Sequence, residues 1–143
     1  PRVLRLAFGS FDFMLDSGIQ GDGQELDAVR TQMVLLSRHA GLQAPIDGVS
    51  LAIDDAARLE ADVLRSRSFG FGAKLCIHPR QVAAIHRGFS PTQDQIAWAR
   101  RVIDALAAGP LGAVAVDGKL VDRPIALMAQ SVLDDARAES RVR

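Results

Sequence analysis

The run Gly70-Phe71-Gly72-Ala73-Lys74-Leu75-Cys76-Ile77-His78-Pro79-Arg80-Gln81 limits what this chain can become more than any other segment, because a strand pattern in it carries polar side chains and stops at a proline. Side chains alternate across a strand, so Ala73, Leu75 and Ile77 share one face while Lys74, Cys76 and His78 share the other. Proline cannot donate to a ladder, and Arg80 to Arg87 reads as a helix. His78 therefore stands at the carboxyl end of a strand that feeds a helix. That edge is where α/β proteins assemble active sites.

The same alternation of strand and helix precedes it. Val3 to Phe8 reads as a buried strand ended by Gly9-Ser10, followed by a loop through Gly18, Gly21 and Gly23. Asp22 with Glu25 makes a capping-box pattern, and Leu26, Val29, Met33, Leu36 and Ala40 form one stripe of a helix stopped by Gly41. Ile46 to Ile53 is a second strand, and Asp54 or Asp55 caps a helix to about Arg67 with Leu59 and Val63 inward. Pro79 starts the helix after the third strand, which carries Val82 and Ile85 and ends near Gly88. Crossovers of this length imply a parallel sheet.

A different pattern follows. Ser90-Pro91-Thr92-Gln93 opens a helix with Ile96, Ala99, Ile103 and Leu106 on one face, ending at Gly109-Pro110. A short extended piece, Ala113 to Val116, turns at Asp117-Gly118, and Pro124 opens a last helix with Ile125, Met128, Val132 and Ala136 inward. The tail from Arg137 to Arg143 reads as charged and frayed.

A zero formal charge on 143 residues argues against a nucleic-acid or anionic-lipid partner, and the apolar runs fall short of the ~20 residues that cross a bilayer. The single cysteine, Cys76, precludes an internal disulfide and suits a reducing, cytoplasmic compartment. The opening Pro1-Arg2, with no initiator methionine or leader, reads as a chain cut from a longer protein. Three parallel strands make a poor sheet alone. The expected fold is thus α/β, the C-terminal part of a TIM (β/α)8 barrel of typically ~250 residues. Residues 1–88 would supply its last three strand-helix units, and residues 89–143 a C-terminal helical extension or lid. A small doubly wound domain, complete in itself, is the alternative.

Several side chains could do chemistry. Asp12 follows the first strand, where a carboxylate flanked by Phe11 and Phe13 could seat a hard cation or cap a turn. Lys74 and His78 share a strand face. Lys74 requires a partner, and the structural answer is an acidic side chain on an adjacent strand. His78 could orient a carbonyl, bind an anion or donate to a neighbouring carbonyl. Cys76 reads as a small buried filler. Asp117 fits a turn pair, and Asp122 precedes a helix-opening proline that it could cap. Asp16, Arg30, Arg38 and Asp47 read as solvated surface.

Taken together, Phe8-Gly9-Ser10-Phe11-Asp12, Ile46-Asp47-Gly48-Val49, the run from Gly70 to Gln81, Phe89-Ser90-Pro91 and the segment from Asp117 to Pro124 resemble the citrate lyase beta subunit family. That family lies within the HpcH/HpaI aldolase and citrate lyase group. The resemblance implies a Mg²⁺-dependent lyase that cleaves or forms a carbon-carbon bond in a 3-hydroxyacyl-CoA thioester such as citryl-CoA or malyl-CoA, with acetyl-CoA and a keto acid as its small-molecule partners. It implies Asp12 as a metal ligand, Asp122 as the catalytic carboxylate presented from a lid, and Gly9, Lys74, His78 and Pro79 on the substrate side. A homotrimer or higher homo-oligomer is implied as well. The family's first metal-ligand glutamate and its substrate-gripping arginine belong to strands upstream of Pro1, so the chain by itself is expected to carry at most half a metal site and to show little or no activity unless the missing half is supplied. A noncatalytic half-barrel, or a malate synthase or acyl-CoA thioesterase activity, remains the alternative.

Overall fold

The computed structural model describes residues 3–108 and 114–140. The expectations at Pro1-Arg2, Gly109-Pro110, Ala113 and 141–143 lie outside the described residues. The chain divides into two compact units, Pro1–Phe89 and Ser90–Arg143. Both mix helix and strand, and helix dominates.

The first unit is built around a short parallel sheet. Strand β1 (Ile46–Asp47) pairs in parallel with β2 (Ala73–Lys74), setting Ile46 beside Ala73 and Asp47 beside Lys74. On its other side β1 takes up the extended segment 4–8: Ala7 bridges Ile46 in parallel, Ile46 N–H donates to Leu6 O, and Phe8 N–H donates to Ile46 O, both at 2.9 Å. The ladders are shorter than the expected strands at 46–53 and 73–78. After Asp47 the backbone leaves β1, because Gly48 packs on Ser10 and the carbonyls of Ser50 and Ala52 turn to a side chain instead of a strand. Beyond β2 the residues 75–78 form a connection without ladder pairing that bends at 77–78, tied at its start by Leu75 N–H on Asp47 O, 3.0 Å, and further on by the Gln81 side chain.

Helices cover the Asp47 and Lys74 side of this sheet. Helix α1 (Ser10–Ser17) occupies part of the segment expected as loop and ends at Gly18, whose φ of 75° is left-handed. Glycines bracket it, which hid its one short apolar stripe: Phe13 and Met14 join Phe8, Leu26 and Phe71 in a core with Val29, Met33 and Val34. A 3-10 turn at Gln24–Leu26 leads into α2 (Asp27–His39). Asp22 does not cap α2, since its carboxylate is taken by Arg30, and Leu36 is exposed, the inward stripe being Leu26, Val29, Met33 and Val34.

Helix α3 (Ala56–Phe69) begins as the sequence implied, with the Asp55 side chain accepting the Arg58 N–H at 3.0 Å. It packs Leu59 and Val63 on Ile85 of α4 (Pro79–Phe89). The close approach needs Gly88, where a Cβ would stand 2.3 Å from Val63 Cγ1. Val82 is exposed, and the inward face of α4 is Gln81 and Ile85.

The second unit is a helix, a hairpin and a helix: α5 (Gln93–Ala108), β3 (Val114–Val116), β4 (Lys119–Val121) and α6 (Arg123–Ser140). The N-cap of α5 is Thr92. Gln95 N–H donates to Thr92 Oγ1 at 3.2 Å while Thr92 N–H donates to Gln95 Oε1 at 2.9 Å, a reciprocal capping box. Antiparallel β3 and β4 turn through Asp117 and Gly118, both at positive φ (51° and 73°), the geometry two-residue hairpins favour. Ala99, Val102, Val121 and Ala129 form the core with Ile103, Ile125 and Val132. Met128 lies outside it, and α6 stays helical through residues expected to fray, with Arg137 and Asp134 paired at 3.3 Å.

Candidate active site

The parallel sheet of the first unit has one edge where its three segments all end, and the sequence-singled residues of that unit follow it: Gly9 and Asp12 after the first segment, Gly48 to Ser50 after β1, and His78 and Pro79 after β2. A buried charge network lies beneath. Asp47, 2% exposed, accepts from Arg30 Nε at 3.1 Å, from Lys74 Nζ at 3.2 Å and from the Ser66 hydroxyl. Arg30, also 2% exposed, reaches on to Asp22 Oδ1 at 2.6 Å and lies 5.6 Å from the Phe8 ring centre. Two cations thus face two carboxylates.

Burial pushes the Asp47 carboxyl upward, but Lys74, the Ser66 hydroxyl, Arg30 and the Gly48 N–H outweigh it and hold the group below its ordinary value. Arg30 answers to the same balance, desolvation opposed and exceeded by Asp22 and Asp47, so its charge is reinforced. The space between these side chains is only about 10 Å³, the room of a single water at most. Arg30 and Asp47 had read as surface, and this is where the structure differs most from the sequence reading. The one signal for the network was Lys74, whose required acidic partner on an adjacent strand is Asp47.

Above the network, His78 begins α4. Its Nδ1 accepts the Arg80 N–H at 3.1 Å, which leaves the proton of the neutral ring on Nε2. Gln81, wholly buried, answers from the third position: its Oε1 accepts the N–H groups of Ile77 and His78 at 3.0 and 3.2 Å. Its Nε2 donates to the carbonyls of Ser50 and Ala52 at 2.8 and 3.0 Å. A capping box with histidine as the cap was visible in the spacing of His78 and Gln81 but is rare enough to pass unread. Cys76 is exposed rather than a buried filler.

Asp12 stands in the first turn of α1, where the helix dipole favours a carboxylate, and it is exposed. Phe11 and Phe13 do not sandwich it, since neighbours on a helix diverge by about 100°, and Phe13 turns inward to meet Phe8 at 5.8 Å. Gly9 lies against it: a Cβ there would come 3.0 Å from Asp12 Oδ2. Ser10 packs its buried hydroxyl on Gly48. Nearby, an open cleft of about 440 Å³ is lined by Phe11, Met14, Leu51 and Ala52 with Asp55 and Arg58 among its polar residues. Neither Asp12 nor His78 lines it.

Asp122 belongs to the second unit, where it is exposed and its Oδ1 accepts the Ile125 N–H at 3.1 Å, capping α6. Among the described residues no three His, Cys, Asp or Glu side chains gather around one point. Mg²⁺ ordinarily takes one or two carboxylates and completes its shell with water and substrate oxygens, so Asp12 fits as one such donor.

The HpcH/HpaI aldolase/citrate lyase family model matches residues 1–79. The chain belongs to that family. Its relatives include the citrate lyase subunit beta-like protein of Deinococcus radiodurans, 37% identical over 138 residues that cover 93% of this chain and 48% of the relative. The citrate lyase subunit beta of Escherichia coli K12 is 33% identical over 140 residues, 94% of this chain and 46% of that protein. Among solved structures, protein CitE from Mycobacterium tuberculosis in complex with magnesium, acetoacetate and coenzyme A superposes with a TM-score of 0.80 at 27% identity, over 94% of this chain and 52% of that one. This family member spans about half the length of the relatives it matches.

Proposed function

We propose that the whole protein to which these residues belong is a Mg²⁺-dependent carbon-carbon lyase acting on a 3-hydroxyacyl-CoA thioester of the citryl-CoA or malyl-CoA type. Residues 1–88 are read as the last three strand-helix units of a TIM barrel and residues 89–143 as its helical lid, in a cytoplasmic homo-oligomer. The observation that carries this reading is the kinship, along nearly the whole chain, with proteins named citrate lyase subunit beta.

In this reading Asp12 supplies one oxygen donor to the metal, and Gly9 keeps the approach to that carboxylate free of a side chain. Bound Mg²⁺ would polarise the keto-acid carbonyl and stabilise charge on its oxygen. His78, with Nδ1 already engaged, retains Nε2–H as a donor to substrate, and Pro79 fixes the turn that presents it. Lys74 serves the site from beneath through Asp47. In cleavage solvent water would take the hydroxyl proton as the keto acid's carbonyl forms, the electron pair of the broken bond would pass to the thioester α-carbon, and Asp122 would deliver the proton gained there.

The test is Asp12→Ala in the complete protein, assayed with citryl-CoA, malyl-CoA and related thioesters by release of acetyl-CoA. The expected result is loss of Mg²⁺-dependent turnover with an unchanged circular dichroism spectrum. Unchanged turnover rejects the ligand role, and release of free CoA without carbon-carbon cleavage identifies a thioesterase instead.

A further inference from the structure

Gln81 spends its whole hydrogen-bonding capacity on backbone. A primary amide has two donor hydrogens and two acceptor lone pairs. In Gln81 both N–H groups go to the carbonyls of Ser50 and Ala52, and both lone pairs receive the N–H groups of Ile77 and His78. The Gln81 side chain is fully buried; its bond to Ser50 O is buried and the other three are partly buried. Its four partners lie on two different connections, the one leaving β1 and the one leaving β2, beyond the last ladder bond between those strands.

We propose that Gln81 is a positioning residue: it substitutes for the missing strand pairing beyond Asp47 and Leu75, and so fixes the 50–52 connection and His78 relative to each other. The consequence concerns the cleft, because Ser50, Leu51 and Ala52 form part of its wall while His78 starts α4 on the other side of the clamp. Fixing that wall matters to a thioester only under the function proposed above, and the effect on catalysis rests on that reading. The clamp itself does not.

Only an amide does this job. Leucine of similar size would leave four backbone groups without this partner, the buried carbonyl of Ser50 among them. Glutamate would still accept from Ile77 and His78 but, ionised, would face two carbonyl oxygens with lone pairs. Protonated, it regains one donor. Gln81→Glu should therefore recover on acidification, which a mere loss of packing would not do. The ionisable groups bordering the clamp include His78, the Arg80–Asp54 pair and, from α3, Asp62, which accepts from the Ser50 hydroxyl; all are present in wild type as well, so the difference from wild type isolates the introduced carboxyl.

Two measurements on the full-length protein decide the matter. The first needs no ligand. Amide exchange at Ile77 and His78 should accelerate at least tenfold in Gln81→Leu and stay within threefold of wild type in Gln81→Glu. Should Gln81→Leu not fold, the melting temperature of Gln81→Glu decides, expected below wild type at pH 8 with the gap narrowing toward pH 5.5. Unchanged exchange in Gln81→Leu, or a pH-independent gap in Gln81→Glu, overturns the clamp. The second measurement is steady-state kinetics with the thioester substrate: in Gln81→Glu at pH 8, KM should rise at least tenfold with kcat within threefold, and KM should recover at pH 6. A KM within twofold of wild type at both pH values overturns the positioning role. Absence of any thioester turnover in wild type rejects the proposed function and leaves the clamp to be judged by exchange and melting alone.

Discussion

Lys74 Nζ lies 3.2 Å from Asp47 Oδ2 on the neighbouring parallel strand, and both side chains are almost fully buried. An ion pair in that setting gains little over an apolar pair of the same shape, but removing one partner leaves a bare charge out of reach of water. Asp47 is the more exposed to this logic, because it answers both Lys74 and Arg30.

Asp47→Asn keeps the shape but leaves buried Lys74 without a carboxylate and Arg30 with Asp22 alone, so it should lower stability by about 3–5 kcal/mol, read from urea unfolding of the complete protein. Lys74→Met leaves Asp47 with Arg30 and should cost less, about 1–3 kcal/mol. The effect is also pH-dependent. The folded Asp47 carboxyl lies below the ordinary 3.8, so between those values the unfolded chain binds more protons. Its contribution is complete above 3.8 and drains away as the pH falls through the folded value. The gap in melting temperature between wild type and Asp47→Asn should accordingly shrink on acidification from pH 5 to pH 2. A constant gap would show that the charge is not what the site requires.

Gly48 and Ser10 form a second tight contact, where a Cβ on Gly48 would fall 2.2 Å from Ser10 Oγ and 3.3 Å from Phe8 O. Gly48→Ala should cost about 1–3 kcal/mol by overpacking. Because the clash also involves Ser10 Cβ at 2.8 Å, Ser10→Gly in the same chain should recover part of that loss whereas Ser10→Ala should recover little. Thermal melts of the single and double variants give the coupling directly.

Asp122 has a cap to hold and, in the proposed mechanism, a proton to handle. Asparagine can accept the Ile125 N–H as well as aspartate does, so Asp122→Asn should leave stability and Mg²⁺ affinity unchanged while lowering kcat. Asp122→Ala should lower kcat and also remove about 1 kcal/mol of stability. Equal stability of the two variants would dissociate Asp122 from the cap, and equal kcat to wild type in Asp122→Asn would remove it from the chemistry.

How much of this was written locally is clear from particular residues. Asp55, Pro79, Asp117-Gly118 and Gly41 act within a few positions of themselves, so the start of α3, the start of α4, the hairpin turn and the stop of α2 were all legible. The parallel sense of the sheet followed from the lengths of its crossovers, and an acidic partner for Lys74 followed from its place in a strand. Three things were not legible. Helix α1 has one short apolar stripe between glycines, too little for periodicity to register. Val82, Leu36 and Met128 are apolar at helical spacing yet exposed, because which face turns inward depends on what another element offers. Arg30 and Asp47 are charged residues whose burial depends on partners 17 positions apart in the chain, and no local pattern records such a meeting.

The exposed Cys76, the one thiol in the sequence, sits between Lys74 and His78 on the connection that Gln81 holds. A maleimide fluorophore or nitroxide can therefore be attached at a single natural point, without engineering other cysteines away. Its emission or line shape would register any shift of the β2 connection as metal or thioester is titrated in, turning a structural accident into a built-in reporter.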